Sequence, residues 1–190
     1  LWAISDNSYT LIKKQVSGPG ITAAEWNYTY VPGISFIRDH GATFKYPVCN
    51  WATYGVLCSN PHCLQESCAG SSRTTVTQPD GNWVRYSYGN TYRYNEGKLL
   101  KVETGASGST TALKTVTNTY DLTLGSVAKP YPTSYGSSQR TAFDGFPSQY
   151  HRPLETTDTD QDGMRFKSQV DTFDGLARPT QVTKSSAPFP

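Results

Sequence analysis

The sequence predicts an all-β protein, an extended antiparallel sheet, and two observations carry that prediction. Large residues alternate with polar ones in short runs, so that Val84, Tyr86 and Tyr88 share one side of a strand while Arg85 and Ser87 share the other. Tyrosine is abundant, with 13 residues in 190, and there is one Met; this balance suits pleated surfaces better than helices. Because apolar residues do not recur at helical spacing, no α-helix longer than about three turns is expected.

The N-terminal part predicts two or three strands within residues 22–48. Trp26, Tyr28 and Tyr30 alternate with polar neighbours before a Pro-Gly turn, and the alternation returns at residues 44–48. Each run would present one aromatic face, as expected for a half-buried strand.

The middle and the end of the chain predict hairpins. Residues 74–88 combine a β-branched run, a Pro-Asp-Gly turn at 79–81 and an alternating strand, and the Asp-Gly pair at 162–163 opens a similar arrangement. Between them, residues 105–112 are predicted to form a flexible Gly/Ser/Thr connection and residues 125–140 a long stretch rich in turns.

Charge and hydropathy exclude two classes of partner. The 17 basic and 15 acidic side chains leave a net charge of +2 and are spread along the chain, so the basic patch expected of a nucleic-acid-binding surface is missing. No run approaches the ~18 apolar residues that a membrane-spanning helix needs. We therefore expect neither a nucleic-acid partner nor a membrane span.

Four cysteines are the main candidates for covalent chemistry. Cys49, Cys58, Cys63 and Cys68 lie within 20 residues of each other in a turn-rich segment, and an even number of close cysteines predicts two disulfides in an oxidising compartment, with three possible connectivities. The spacing lacks the two-residue gaps of zinc ribbons, although His62 beside Cys63 keeps zinc as an alternative, and free thiols are the other. The disulfide prediction places the protein outside the cell or on its surface.

An acidic segment suggests a possible metal site. Asp158, Asp160 and Asp162 stand at alternate positions before Gly163, like the first half of a calcium-binding loop. The twelfth position is Gln169, which cannot supply the bidentate carboxylate such loops use. The favoured interpretation is a charged hairpin tip, with a weak Ca²⁺ site as the alternative and no other cofactor expected.

Catalytic motifs are missing from the sequence. It contains no Gly-x-Ser-x-Gly, His-Glu-x-x-His or phosphate-cradling loop, and His40, His62 and His151 are isolated. We expect the chain not to be an enzyme. The tyrosines could stack on sugars, but aromatic residues at period two are typical of cross-strand packing pairs.

The second half repeats a short pattern. An aromatic-Asp-Gly tripeptide occurs at 143–145 and at 173–175, and each is followed by Arg-Pro, at 152–153 and 178–179. A Tyr-Asp pair at 120–121 opens a comparable unit. Units that cannot bury an apolar face alone must stack on their neighbours, which predicts an extended sheet.

This series resembles the Rhs/YD-repeat family over residues 73–184. The resemblance implies a β-sheet ribbon that spirals into a shell, found in large secreted or surface proteins that often enclose a C-terminal toxin. It divides the chain into an N-terminal β segment with the Cys-rich loop, 1–72, and a YD-like repeat sheet, 73–190. The chain has no Asp-Pro dipeptide for a self-cleaving core and no toxin-like segment, so we expect a section of wall without its cargo.

The predicted function is therefore structural: a wall section of a secreted or cell-surface protein, for encapsulation or intercellular contact. One alternative is an extracellular filament or surface fibre assembled through open sheet edges. Another is an adhesive module that binds glycans. The expected partners are further repeats of a longer chain or copies of itself, and the edge at residues 178–183 is predicted to need one of them. A toxin cargo and cell-surface glycans are further candidates.

Overall fold

Every regular element of the described chain is a β-strand. The computed structural model describes residues 10–31, 71–89, 95, 97–121, 129–135 and 149–189, and no helix occurs within these ranges. The all-β prediction is confirmed for this part of the protein. The strands are β1 (Lys13–Gly18), β2 (Ile21–Val31), β3 (Ser71–Thr77), β4 (Trp83–Gly89), β5 (Leu99–Gly105), β6 (Ala112–Tyr120), β7 (Ser134–Tyr135), β8 (Gln149–Tyr150), β9 (Leu154–Gln161), β10 (Met164–Phe173) and β11 (Pro179–Pro188).

Nine of these strands form one antiparallel sheet in the order β1-β2-β3-β4-β5-β6-β9-β10-β11. Strands that follow each other in the chain pair in space, except that β6 pairs with β9 because β7 and β8 form a separate two-stranded sheet. The sheet is continuous across residue 73, so the strands on both sides of that position belong to one structure.

The predicted hairpins form where the turn residues require them. Asp162 and Gly163 have φ of 52° and 71°, the left-handed pair of a type I′ turn, whose twist matches that of the flanking strands. At the β3–β4 turn, Gly81 has φ of 83°, and the Asp80 carboxylate accepts hydrogen bonds from the backbone N–H and side-chain amide of Asn82 at 3.0 and 2.7 Å. The predicted connection at 105–112 overlaps the ends of β5 and β6, and residues 106–111 form the loop between them.

The predicted aromatic strand in the N-terminal part is confirmed as β2. Trp26 pairs with Lys14, and Tyr28 and Tyr30 pair with residues of β3, so the three aromatic residues share one face by alternation. The second predicted run, 44–48, lies outside the described residues.

Burial is shallow in this sheet, because none of the described strands packs on its faces. Among the described residues only Trp83 and Tyr131 are buried hydrophobic side chains, each 7% exposed. Trp83 lies directly opposite Gly105 on β5, and its indole Nε1 donates a hydrogen bond to the Ser109 carbonyl at 2.8 Å. The missing side chain of Gly105 thus makes room for the largest side chain of the sheet.

Candidate functional site

Register divides the sheet into a polar face and an apolar face, because directly paired residues lie on the same side. On the polar face, side chains form rows that run from β2 to β11 across eight strands. The first row contains Thr29, Thr75, Arg85, Glu103, Thr115, Asp160, Arg165 and Ala187; the second contains Val31, Arg73, Ser87, Lys101, Thr117, Asp158, Lys167 and Ser185.

Opposite charges meet along these rows. The Glu103 carboxylate forms ion pairs with the Lys101 ammonium at 3.0 Å and with the Arg85 guanidinium at 3.6 Å. Both carboxylate oxygens of Asp160 accept hydrogen bonds from the Arg165 guanidinium, at 2.6 and 2.7 Å. This bidentate pairing holds the pKa of Asp160 below its usual value. The charges balance in the first row, whereas the second row carries Arg73, Lys101 and Lys167 against Asp158 and is net positive.

A shallow depression lies on the polar face, at the end of the sheet where β9 turns into β10 and β6 begins. Thr115 and Thr117 of β6 are short and stand between longer side chains of β5, β9 and the C-terminal end of the chain, which leaves an open hollow of about 530 Å³. Hydroxyl, ammonium and carboxylate groups line it, but it is open to solvent rather than enclosed. Its residues are Lys101, Ala112, Leu113, Thr115, Thr117, Asp160, Gln161, Asp162, Gly163 and Phe189.

The predicted metal residues are near each other but differently engaged. Asp160 is paired with Arg165, Asp158 lies opposite Lys167, and Asp162 stands in the turn, where it accepts a hydrogen bond from the side-chain amide of Gln161 at 3.1 Å. Within the described ranges no three His, Cys, Asp or Glu side chains gather closely enough to hold a metal ion. Asp162 and Gly163 make the turn as predicted, but Asp158 and Asp160 lie within β9, and Asp160 is ion-paired rather than solvated. The weak Ca²⁺ site stays an untested alternative.

The apolar face carries aromatic and β-branched side chains in a matching row. Lys14 places its ammonium 4.9 Å from the ring centre of Trp26, and Phe166 is half exposed at 50%. The aromatic residues of this face stand in cross-strand pairs, and glycan binding by them stays an untested alternative. One row contains Tyr30, Thr74, Tyr86, Val102, Val116, Thr159, Phe166 and Ser186.

A buried carboxylate joins the end of β6 to the segment before β7. Asp121 is 4% exposed; its Oδ2 accepts hydrogen bonds from the Tyr131 hydroxyl at 2.6 Å and from Lys129 at 2.8 Å. Its backbone N–H donates to the Pro153 carbonyl at 2.9 Å. Burial, and then the neighbouring carboxylate, raises the pKa of Tyr131, while the charge of the buried Arg152 acts in the opposite direction.

Two further aromatic rings pack against Tyr131, the partner of this carboxylate. The Tyr131 ring meets the rings of His151 and Phe173 edge-on, each at 5.7 Å between centres. His151 also hydrogen-bonds through its ring nitrogen to the Pro132 carbonyl. The group connects β6, the segment at 129–133 and the end of β10, and we regard it as a structural joint. The sequence marked Asp121 only as part of a repeat, and the spacing to Tyr131 gave no indication of the contact.

The repeated aromatic-Asp-Gly motif closes the β10–β11 turn. The Asp174 carboxylate accepts hydrogen bonds from the backbone N–H groups of Leu176 and Arg178 at 2.9 Å each and from the Arg178 guanidinium at 2.8 and 2.7 Å. These hydrogen bonds lower the pKa of Asp174 to about 2. In this unit the motif therefore places Asp174 and Arg178 where their side chains hydrogen-bond and stabilise the β10–β11 turn.

Several predicted residues lie outside the described part of the chain. They include the cysteines at 49, 58, 63 and 68, with the proposed disulfides and the zinc alternative, and the histidines at 40 and 62. No helix among the described residues is long and apolar enough to cross a membrane. Comparisons with protein-family models, with curated proteins and with solved structures find no match to the chain.

Proposed function

We propose that the chain is a structural wall section of a secreted or cell-surface protein of the Rhs/YD-repeat type, for encapsulation or intercellular contact. One observation carries the proposal: side-chain rows continue across eight strands of the nine-stranded sheet, and no described strand packs on either of its faces. A ribbon that extends strand by strand can grow to any width, as a wall requires.

The energetics of the sheet suit this role. Each strand contacts its sheet neighbours, so stability comes from local pairs, and an aromatic, β-branched or opposite-charge pair contributes roughly 0.2–1 kcal/mol. The ion pairs of the polar face, Glu103 with Lys101 and Asp160 with Arg165, keep that surface polar and hydrated.

Localisation is the first test of the proposal. Intact cells that produce the protein would be treated with a membrane-impermeant amine reagent; exposed lysines such as Lys13 and Lys184 should be labelled while a cytosolic control protein is not. Recovery of the chain only in the unlabelled interior fraction would overturn the secreted or surface assignment.

The wall role itself has a separate test. Protease treatment of the surface material should leave wild-type sheet fragments intact, whereas Gly105→Val, which overlaps Trp83, should make the same material protease-sensitive. If both materials resist protease equally, the sheet does not provide the barrier and the wall role is wrong.

Self-assembly is a second candidate function, favoured by one feature of the sheet. β11 lies at an edge of the sheet, and all ten of its residues are exposed. The backbone groups of such an edge strand can pair with another chain. The glycan-binding alternative has no comparable support in the described residues.

A further inference from the structure

The outer edge of β11 is the feature that leads beyond the wall proposal. Among the described residues this strand pairs with β10 and with no strand on its other side. Its ten residues, Pro179–Pro188, are all exposed. Edge strands of this length present a row of backbone N–H and C=O groups that can accept another strand.

The hydrogen-bond alternation identifies the backbone groups that face outward. The Phe189 N–H donates to the Gly163 carbonyl at 2.8 Å, and in an antiparallel pair every second residue bonds to the same neighbour. Ala187, Ser185 and Thr183 therefore bond toward β10. The alternate residues present their backbone groups to solvent, namely Val182, Lys184 and Ser186.

This outward edge is regular over most of its length. The register with β10 is constant from Met164↔Pro188 to Val170↔Val182, and irregularities begin only beyond that point. Residues 182–188 therefore form a regular strand edge to which another strand can pair. Pro188 has no N–H to offer, so hydrogen bonding ends there.

The opposite edge of the sheet is better protected. β1 has six residues and a bulge between Val16 and Gly18, and it carries Lys13 and Lys14, which oppose edge-to-edge pairing. The Tyr30 hydroxyl also satisfies the Leu11 carbonyl at 2.8 Å. An open filament needs two complementary surfaces, whereas of the two sheet edges in the described residues the β11 edge is the one suited to pairing.

We propose that β11 pairs antiparallel with β11 of a second copy, about a two-fold axis through Ser185. This register uses all of residues 182–188 and places Lys184 opposite Ser186 of the second copy. The register centred on Lys184 would put two ammonium groups opposite each other, which is unfavourable. The register centred on Thr183 would run into the irregular part of the strand.

The two-fold axis also places the apolar faces of the two sheets on the same side of the dimer. A rotation about an axis perpendicular to the sheet leaves each apolar face on the same side, so the dimer is one continuous sheet. Val182 and Phe166 are 45% and 50% exposed on that face near the edge. In the dimer Val182 lies opposite Pro188 of the second copy and loses part of that exposure.

Charge variants at position 186 test the interface and its register. The molar mass of the 190-residue chain would be measured by light scattering after size-exclusion chromatography and by sedimentation over a range of concentrations. We expect a dimer; Ser186→Lys should raise its Kd about two- to thirty-fold because two like-charge pairs form, and Ser186→Glu should lower it. The double variant Lys184→Glu/Ser186→Lys should restore dimerisation.

The variants should leave the fold of each copy intact, because the β10 residues opposite positions 184 and 186 are the uncharged Ser168 and Phe166. Leu176→Lys, in the exposed turn before β11 (68% exposed), is the matched control and should dimerise like the wild type. A monomer at every concentration, an open series of larger oligomers, or an equal response of all variants would overturn the proposal. The β11 interface does not depend on where the protein acts. A negative result in the localisation test would therefore leave the dimer proposal standing, and a monomeric protein would leave the localisation proposal standing.

Discussion

Gly105 is expected to be among the least replaceable residues of the sheet. A Cβ atom at this position would lie 2.1 Å from Cζ2 and 2.2 Å from Cε2 of Trp83, far inside van der Waals contact. Gly105→Ala therefore forces the indole away from a site where it is only 7% exposed. The displacement also breaks the Nε1 hydrogen bond to Ser109 and moves the ring away from the Arg85 guanidinium, which lies 4.6 Å from its centre.

The expected magnitude follows from these contacts. Overfilling a packed site costs about 1–3 kcal/mol, and the lost hydrogen bond adds about 0.5–1.5 kcal/mol. We therefore expect Gly105→Ala to lower the free energy of unfolding by about 2–4 kcal/mol, measured by urea denaturation with circular dichroism in the far ultraviolet.

Gly18→Ala provides the matched control at another strand glycine. Its Cβ would lie at an ordinary 3.7 Å from Ile21 Cδ1, so the loss of unfolded-state entropy should stabilise the protein by about 0.4–1 kcal/mol. If the overlap with the indole is the cause, Gly105→Ala should cost little in a Trp83→Ala background. Equal effects of Gly105→Ala and Gly18→Ala, or an undiminished cost without Trp83, would refute the reasoning.

Three further predictions concern side-chain contacts. Because the folded pKa of Asp174 is lowered from 3.8 to about 2, its stabilising effect is present above pH ~4 and is lost as the pH falls toward 2; Asp174→Asn should flatten the dependence of Tm on pH in this window. Tyr131→Phe should destabilise the protein by about 1–3 kcal/mol in urea denaturation, because buried Asp121 loses a donor; an unchanged midpoint would contradict this. Millimolar Ca²⁺ should leave Tm unchanged, and a rise that disappears in Asp160→Ala would instead establish a calcium site.

The sequence predicted the parts of the fold that depend on local patterns. Alternation at Trp26, Tyr28 and Tyr30 identified a strand because side-chain direction in a strand changes with every residue. Asp162-Gly163 identified a turn because both residues adopt the positive φ that a type I′ hairpin requires. Neither feature needs knowledge of a distant contact.

The parts that the sequence did not predict depend on register and on partners far along the chain. Gly105 was placed in a flexible connection, and only the pairing of β4 with β5 brings it opposite Trp83. Asp121 was seen as a repeat marker, while its donors at 129 and 131 lie in a segment with no periodic pattern. Proximity of this kind follows from tertiary structure and has no local indicator in the sequence.

A sheet that extends strand by strand should also lose its structure in parts. Because each described strand contacts only its sheet neighbours among the described strands, the disruption caused by Gly105→Ala should open β4, β5 and β6 first. Strands β9, β10 and β11 keep the Asp160–Arg165 and Asp174–Arg178 pairs. Native-state hydrogen exchange should therefore show faster exchange in β4–β6 and little change in β9–β11. Equal acceleration in all strands would mean that the sheet unfolds as one cooperative unit, and that stability is not set locally, strand by strand.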